Sequence, residues 1–247
     1  MYNLKYQKKD GSKVPTFEYE GPIIHTMPNL IYAGQVPLSI KDIMEQRVFA
    51  WNSEDEELAQ LWGGNNFNSG DGIKYHPNGK LKIVPDSKLL REINSETDLV
   101  WGGSQALEEG TFDEADGFEF TREDVREFAN KYMSKKEALN NPFWQAFAQE
   151  DKTLLGEYIN QVYSRTQPND FANQEYSLGD EPQLMRIFIR EDVPEFEVQR
   201  FLAFNPALLR SSVTDLGNVL LNRGSGKLIG VLQRDKKTTK LEDKLSI

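Results

Sequence analysis

Apolar positions recur at helical spacing over one sustained stretch, residues 121–165. Val125, Phe128, Ala129, Tyr132 and Met133 fall at i, i+3, i+4, i+7 and i+8, which is one face of a helix. Thr121 is placed to cap it, with Glu123 and Asp124 in the first turn, where negative charge suits the helix dipole. Ser134 with Glu137 reads as a capping box that starts a second helix. Asn141-Pro142 reads as an N-cap followed by proline at the first helical position. Phe143, Trp144, Phe147 and Ala148 then share a face, and Leu154, Leu155, Tyr158, Ile159, Val162 and Tyr163 continue the period. This block is expected to form two or three amphipathic helices folded back on each other. An aromatic stripe at that spacing is what a core face needs, so it outweighs a helix-turn-helix reading around Ser134-Lys135-Lys136.

Alternation with period two marks strands elsewhere. Tyr2, Leu4 and Tyr6, then Pro15, Phe17 and Tyr19, predict a hairpin turning at Lys9-Asp10-Gly11. Residues 73–75 and 80–84 predict a second hairpin around His76-Pro77-Asn78-Gly79, where proline and glycine fit a type I turn. Leu99-Val100-Trp101 and residues 184–190 are short strands, and Val219–Leu221 with Leu228–Leu232 suggest a last hairpin. Ser39 with Asp42 and Ser53 with Glu56 are capping boxes that open helices, the second ending at Gly63-Gly64. Three prolines in residues 21–38 argue for an extended apolar arm, residues 65–72 for a glycine-rich loop, and residues 102–117 for irregular acidic chain. Pro194 precedes an amphipathic segment, residues 196–204, and Asn205-Pro206 again reads as a cap with its first helical residue. The expected architecture is α+β: antiparallel β-hairpins packed against a helical layer centred on 121–165. Residues 1–233 are expected to form one domain, β-richer over 1–117 and helix-richer over 118–233, with a mobile tail at 234–247.

Composition narrows the function. Cysteine is absent and histidine occurs twice, which removes disulfides, thiol catalysis and cysteine-rich zinc sites. No apolar run reaches membrane-span length, and the start shows no signal-peptide pattern, so a cytoplasmic setting is expected. The net charge of −10 is carried by one stretch. Residues 92–127 hold twelve acids against Arg122 and Arg126, and the rest of the chain is balanced. Such a stretch repels phosphates, which disfavours nucleic acid, and attracts a basic surface.

Several motifs nearly form. Asp113-Glu114-Ala115-Asp116 matches a helicase metal motif but follows no apolar strand, and no phosphate loop precedes it. Gly224-Ser225-Gly226-Lys227 lacks the glycine and hydroxyl residue that a phosphate loop requires. Gly102-Gly103-Ser104 resembles a nucleophile elbow, yet both histidines precede it. Residues 66–72 fail the calcium-loop pattern.

The sequence therefore points to a non-catalytic protein-binding or assembly component with a localised acidic docking surface. Asp113, Glu114, Asp116, Phe118 and Glu119 are its candidate contacts, for a basic protein surface or for self-association, with no metal and no cofactor. The alternative is a carboxylate-dependent or metal-assisted hydrolase, because thirty-nine acids allow many carboxylate pairs.

Overall fold

The computed structural model describes residues 5–7, 13–165, 177–178, 181–206, 211–215, 221–222 and 226–232. In the first half of the chain lie β1 (Lys5–Gln7), β2 (Lys13–Glu20), α1 (Ile23–Tyr32), β3 (Gln35–Pro37), α2 (Ile40–Asn52), α3 (Glu56–Gly64), β4 (Phe67–Tyr75), β5 (Leu81–Val84), α4 (Lys88–Arg91), β6 (Leu99–Val100), β7 (Ser104–Ala106), α5 (Thr111–Glu114) and β8 (Phe118–Phe120). The second half carries α6 (Arg122–Phe128), β9 (Tyr132–Met133), α7 (Lys135–Asn140), α8 (Pro142–Phe147), α9 (Lys152–Arg165), β10 (Ser177–Leu178), β11 (Glu181–Pro182), β12 (Met185–Phe188), β13 (Val198–Phe204), β14 (Ser211–Thr214) and β15 (Lys227–Leu232). The fold is α+β. Among the described residues, a 13-stranded sheet runs β1-β2-β15-β4-β13-β14-β12-β9, with β3 on β15, β5 on β4, β8 on β5, and β7 and β6 reached through β13. The β12–β14 and β15–β4 pairs are parallel and the rest antiparallel.

β13 shows how the layers are arranged. Val198, Leu202 and Phe204 face the main core, which draws on α2, α3 and α6 to α9. Phe201 and Ala203 face a smaller cluster under α1 and α4, with Ile23, Met27, Leu30 and Leu90. A strand covered on both faces loses the alternation that would mark it, so residues 196–204 read in sequence as an amphipathic segment and fold as β13.

Capping chemistry holds as read for α2, α6, α7 and α8. Ser39, Thr121 and Ser134 each close a capping box, and Asn141 accepts from the Phe143 and Trp144 amides. Other expectations are corrected. The box at Ser53 does not form: Asp55 caps α3, accepting from the Leu58 amide at 2.9 Å, while Ser53 ends α2. The periodicity from Val125 to Met133 belongs to two elements, because α6 stops at Phe128 and Tyr132-Met133 pairs with β12. Residues 23–32 are helix despite Pro28. Proline there costs about 3 kcal/mol, and full burial of Ile23, Met27 and Leu30 outweighs it at roughly 1.5–3 kcal/mol each. The loop expected at 65–72 is mostly β4, buried along its whole length between β13 on one side and β15 and β5 on the other. Its polar residues are bonded internally: Ser69 donates to the Leu202 carbonyl at 2.8 Å, and Asp71 accepts from the Ile40 and Asp86 amides at 2.7 and 2.8 Å. Gly70 is required because a Cβ there would lie 2.7 Å from Pro37 Cγ. Within 102–117 the structure adds β7 and α5. The first-hairpin turn and the tail lie outside the described residues, as do the phosphate-loop-like glycine run except Gly226 and most of the segment after Pro206.

Arg47 sits at the centre of the helical side, fully buried. It donates to the carbonyls of Trp62, Asn65, Phe204 and Asn205 and to the Tyr158 hydroxyl, at 2.8–3.4 Å. Its guanidinium lies 4.1 Å from the Phe204 ring centroid. Among the described residues it forms no salt bridge, and burial lowers its pKa. A lysine point charge cannot reach this spread of acceptors. Arg47→Lys is expected to cost about 2–4 kcal/mol in urea unfolding, because carbonyls are left unpaired in the interior.

Burial pushes the Asp71 carboxyl up to about 7, against the pull of its two amide donors. The folded state therefore holds this proton more tightly than the unfolded chain does. The resulting stability is full below about pH 4 and is lost as pH rises through about 7. Between pH 5 and pH 8, the wild type should lose about 2–3 kcal/mol relative to Asp71→Asn, measured by urea unfolding at both pH values.

Candidate functional site

One row of polar side chains crosses five strands on the sheet face away from the helical layer. Register pairs Gln105 with Gln199, Gln199 with Lys74, Lys74 with Lys82, and Lys82 with Glu119. Lys74 and Lys82 are almost fully buried, at 3% and 6% exposure, because residues 108–117 lie over them as a strap. The Lys74 ammonium donates to the Thr111 carbonyl at 3.0 Å, and that of Lys82 to the Phe112 and Ala115 carbonyls at 2.9 and 3.2 Å. At the front of the strap, the buried Glu197 carboxylate accepts from the Gly110 and Phe112 amides at 3.0 and 2.7 Å. Phe112 is buried beneath, with Lys82 Nζ 4.6 Å from its ring centroid and the His76 ring edge-on at 5.3 Å. His76 Nδ1 accepts from the Asn78 amide, which leaves Nε2 facing Glu197 at 3.7 Å. Burial lowers the Lys74 pKa, and Glu197 works against that. Gly117 lets the strap return to β5, since a Cβ there would lie 2.3 Å from the Ile83 carbonyl oxygen.

The candidate contacts separate into two groups. Asp113, Glu114 and Asp116 lie exposed on the strap, and among the described residues they form no salt bridge. The buried lysines below them are bonded to backbone carbonyls, so these carboxylates keep their charge toward solvent. Glu119 is exposed on β8 but engaged by Lys80 at 2.6 Å, which lowers its pKa. Phe118 is half-buried against the main core, and Phe112 and Phe120 are buried. Eleven of the twelve acids in 92–127 are exposed, so the stretch is solvated as its charge requires.

Phe196 is the residue that sequence reasoning missed. It is 42% exposed. The Val198–Ala106 pair and the bond from the Leu107 amide to the Glu197 carbonyl continue the β13–β7 ladder, which brings Phe196 beside Glu108. No local signal in the sequence reports that register.

A second polar cluster lies at the same end of the sheet. Tyr75 donates to Asp215 Oδ2 at 2.5 Å, and Arg200 donates to the Asp215 carbonyl and to Ser104 Oγ. Arg190 stacks 4.0 Å from the Trp101 ring centroid and pairs with Asp192. The adjoining cleft, lined by Tyr75, His76, Arg122, Arg190 and Pro194, measures about 10 Å³, room for a single water. A groove of about 460 Å³, lined by Glu20, Asn65, Asn66, Gly226 and Lys227, is open to solvent. Its ammonium, Lys227, is engaged by Glu18 at 2.8 Å. The Ser104 hydroxyl is fully enclosed, bonded to Arg200 and to the Trp101 carbonyl. Asp71 and Asp215, whose carboxyl pKa values burial raises, are likewise enclosed. Among the described residues, no three His, Cys, Asp or Glu side chains gather as metal ligands, and no helix is long and apolar enough to cross a membrane.

No protein-family model and no curated protein matches the chain. A solved structure from Nanoarchaeota, in which the C-type lectin fold accommodates massive sequence variation, matches it with a TM-score of 0.61. Identity is 13%, over 91% of this chain and 100% of that one. The chain has the C-type lectin fold. At that identity the likeness speaks for architecture, and the strap with its row of buried charges is argued from this chain's own residues.

Lys82→Met keeps the stem against Phe112 and removes two bonds to the strap. It should cost about 1–3 kcal/mol and open the strap to a glutamate-specific protease. Cleavage at Glu108, Glu109 or Glu114, read by mass spectrometry, is expected in the variant before the wild type.

Proposed function

We propose that this protein is a non-catalytic binding module that docks a basic protein surface on its strap face. Phe196 carries the reading: an exposed aromatic ring stands beside Glu108 at the start of the strap, and Glu108 is exposed and forms no salt bridge among the described residues. Exposed aromatics act as anchors when a partner desolvates them, and unpaired charges around them set the partner's sign and speed its encounter. Asp113, Glu114 and Asp116 add charge of the same sign further along the strap, with Phe118 and Glu119 at the margin. The C-type lectin fold fits a binding role. Nucleic acid is disfavoured because the face repels phosphates. Self-association through this face is disfavoured because two copies would oppose like charges.

The test uses a fluorescent peptide of six lysines around a central leucine. Wild-type protein should bind it with an affinity that falls steeply with salt. Combined Asp113→Lys, Glu114→Lys and Asp116→Lys should weaken binding at least tenfold at low salt and flatten the salt dependence. Phe196→Ala should weaken it without changing the salt slope. Circular dichroism and thermal melts confirm folding of each variant. Equal affinity of the folded triple variant and wild type at every salt concentration overturns the reading.

A further inference from the structure

Resting on that reading, we propose that the open edge of β8 takes up an extended basic peptide as an added strand. Among the described residues, β8 pairs with β5 alone and ends the β4-β5-β8 branch of the sheet. The turn bond from the His76 amide to the Lys80 carbonyl fixes the alternation of the ladder. Lys74 and Lys82 are then a bonded pair, so Leu81 and Ile83 direct their backbone groups at β8. On β8, Phe118 and Phe120 bond back to β5, and the Glu119 N–H and C=O point outward. Gly117 and Glu119 are exposed along this edge.

The polar row selects the occupant. It runs Gln105, Gln199, Lys74, Lys82, Glu119 across the sheet, and an added strand would place its next residue opposite Glu119. A lysine or arginine there lies beside Glu119, whose carboxylate is held by Lys80 at 2.6 Å and Lys82 at 3.9 Å, and the charge that selects it is that of Asp113, Glu114 and Asp116 of the strap on the same side of the sheet. Residues alternating with it meet the half-buried Phe118 row and are apolar. The matching peptide thus alternates basic and apolar residues. A second copy of β8 is the wrong occupant, because it would set glutamate near glutamate across the pair.

The experiment compares an eight-residue alternating Lys-Val peptide with two others of the same charge: one N-methylated at alternate backbone amides, and one arranged as a lysine block followed by a valine block. Binding is read by anisotropy and by the amide resonances of isotope-labelled protein. The alternating peptide should bind at least tenfold more tightly than either control and should slow hydrogen exchange of the Glu119 amide. Glu119→Pro, which removes only an outward-facing donor from the backbone, should lose that preference, while Glu119→Gln should retain it. Equal affinity for all three peptides, still abolished by charge reversal on the strap, overturns strand addition and leaves the docking reading in place. Affinity for all three that survives strap reversal overturns both.

Discussion

A buried guanidinium that, among the described residues, has no carboxylate partner governs the helical side of this protein. Isolating a charge from water is costly unless its donor groups find acceptors. All three Arg47 nitrogens find acceptors: the carbonyls of Trp62 and Asn65 at the end of α3, those of Phe204 and Asn205 at the end of β13, and the Tyr158 hydroxyl on α9. Those segments must therefore stay in place together. The aromatic packing around it, Trp144 and Tyr158 each about 6 Å from Phe204 between ring centroids, follows from that meeting point.

The opposite face solves the same problem with lysines. Lys74 and Lys82 are cross-strand neighbours of like charge, an arrangement that is unfavourable by itself. Thr111, Phe112 and Ala115 carbonyls, with Glu197 close by, make it tolerable, and the consequence is a strap held against the sheet. Because backbone carbonyls satisfy the lysines, the strap's carboxylates remain directed at solvent. Structure and surface charge are thus linked: the buried cations hold the segment that displays the anions.

This chain shares its fold with the Nanoarchaeota structure at 13% identity. In this chain the fold is held by a sheet covered on both faces, with strands that return to its centre from distant parts of the sequence. β4 and β13 are paired across more than a hundred residues of sequence. Function rests on the groups placed on such a frame, and the groups proposed for it here are the strap, Phe196 and the edge of β8.

The helix starts at Ser39, Thr121, Ser134 and Asn141, the β4–β5 turn, the α+β class and the solvated acidic stretch were all legible in the chain. Each depends on residues within a few positions of one another, or on charge alone. Tertiary structure decided the rest. β4 looked like a loop because its glycines and polar residues suit close approach to Pro37 and bonds to distant backbone. Residues 23–32 became helix because burial outweighed one proline, and Tyr132-Met133 left the helical period to pair with β12. Of the candidate contacts, Asp113, Glu114 and Asp116 emerged exposed and without salt bridges among the described residues, while Glu119 found Lys80. Phe196 was beyond reach, because its place beside Glu108 follows from the register of two strands about ninety residues apart. Local propensity and charge are written in consecutive residues; register, and the exposure that follows from it, exist only once the sheet has formed.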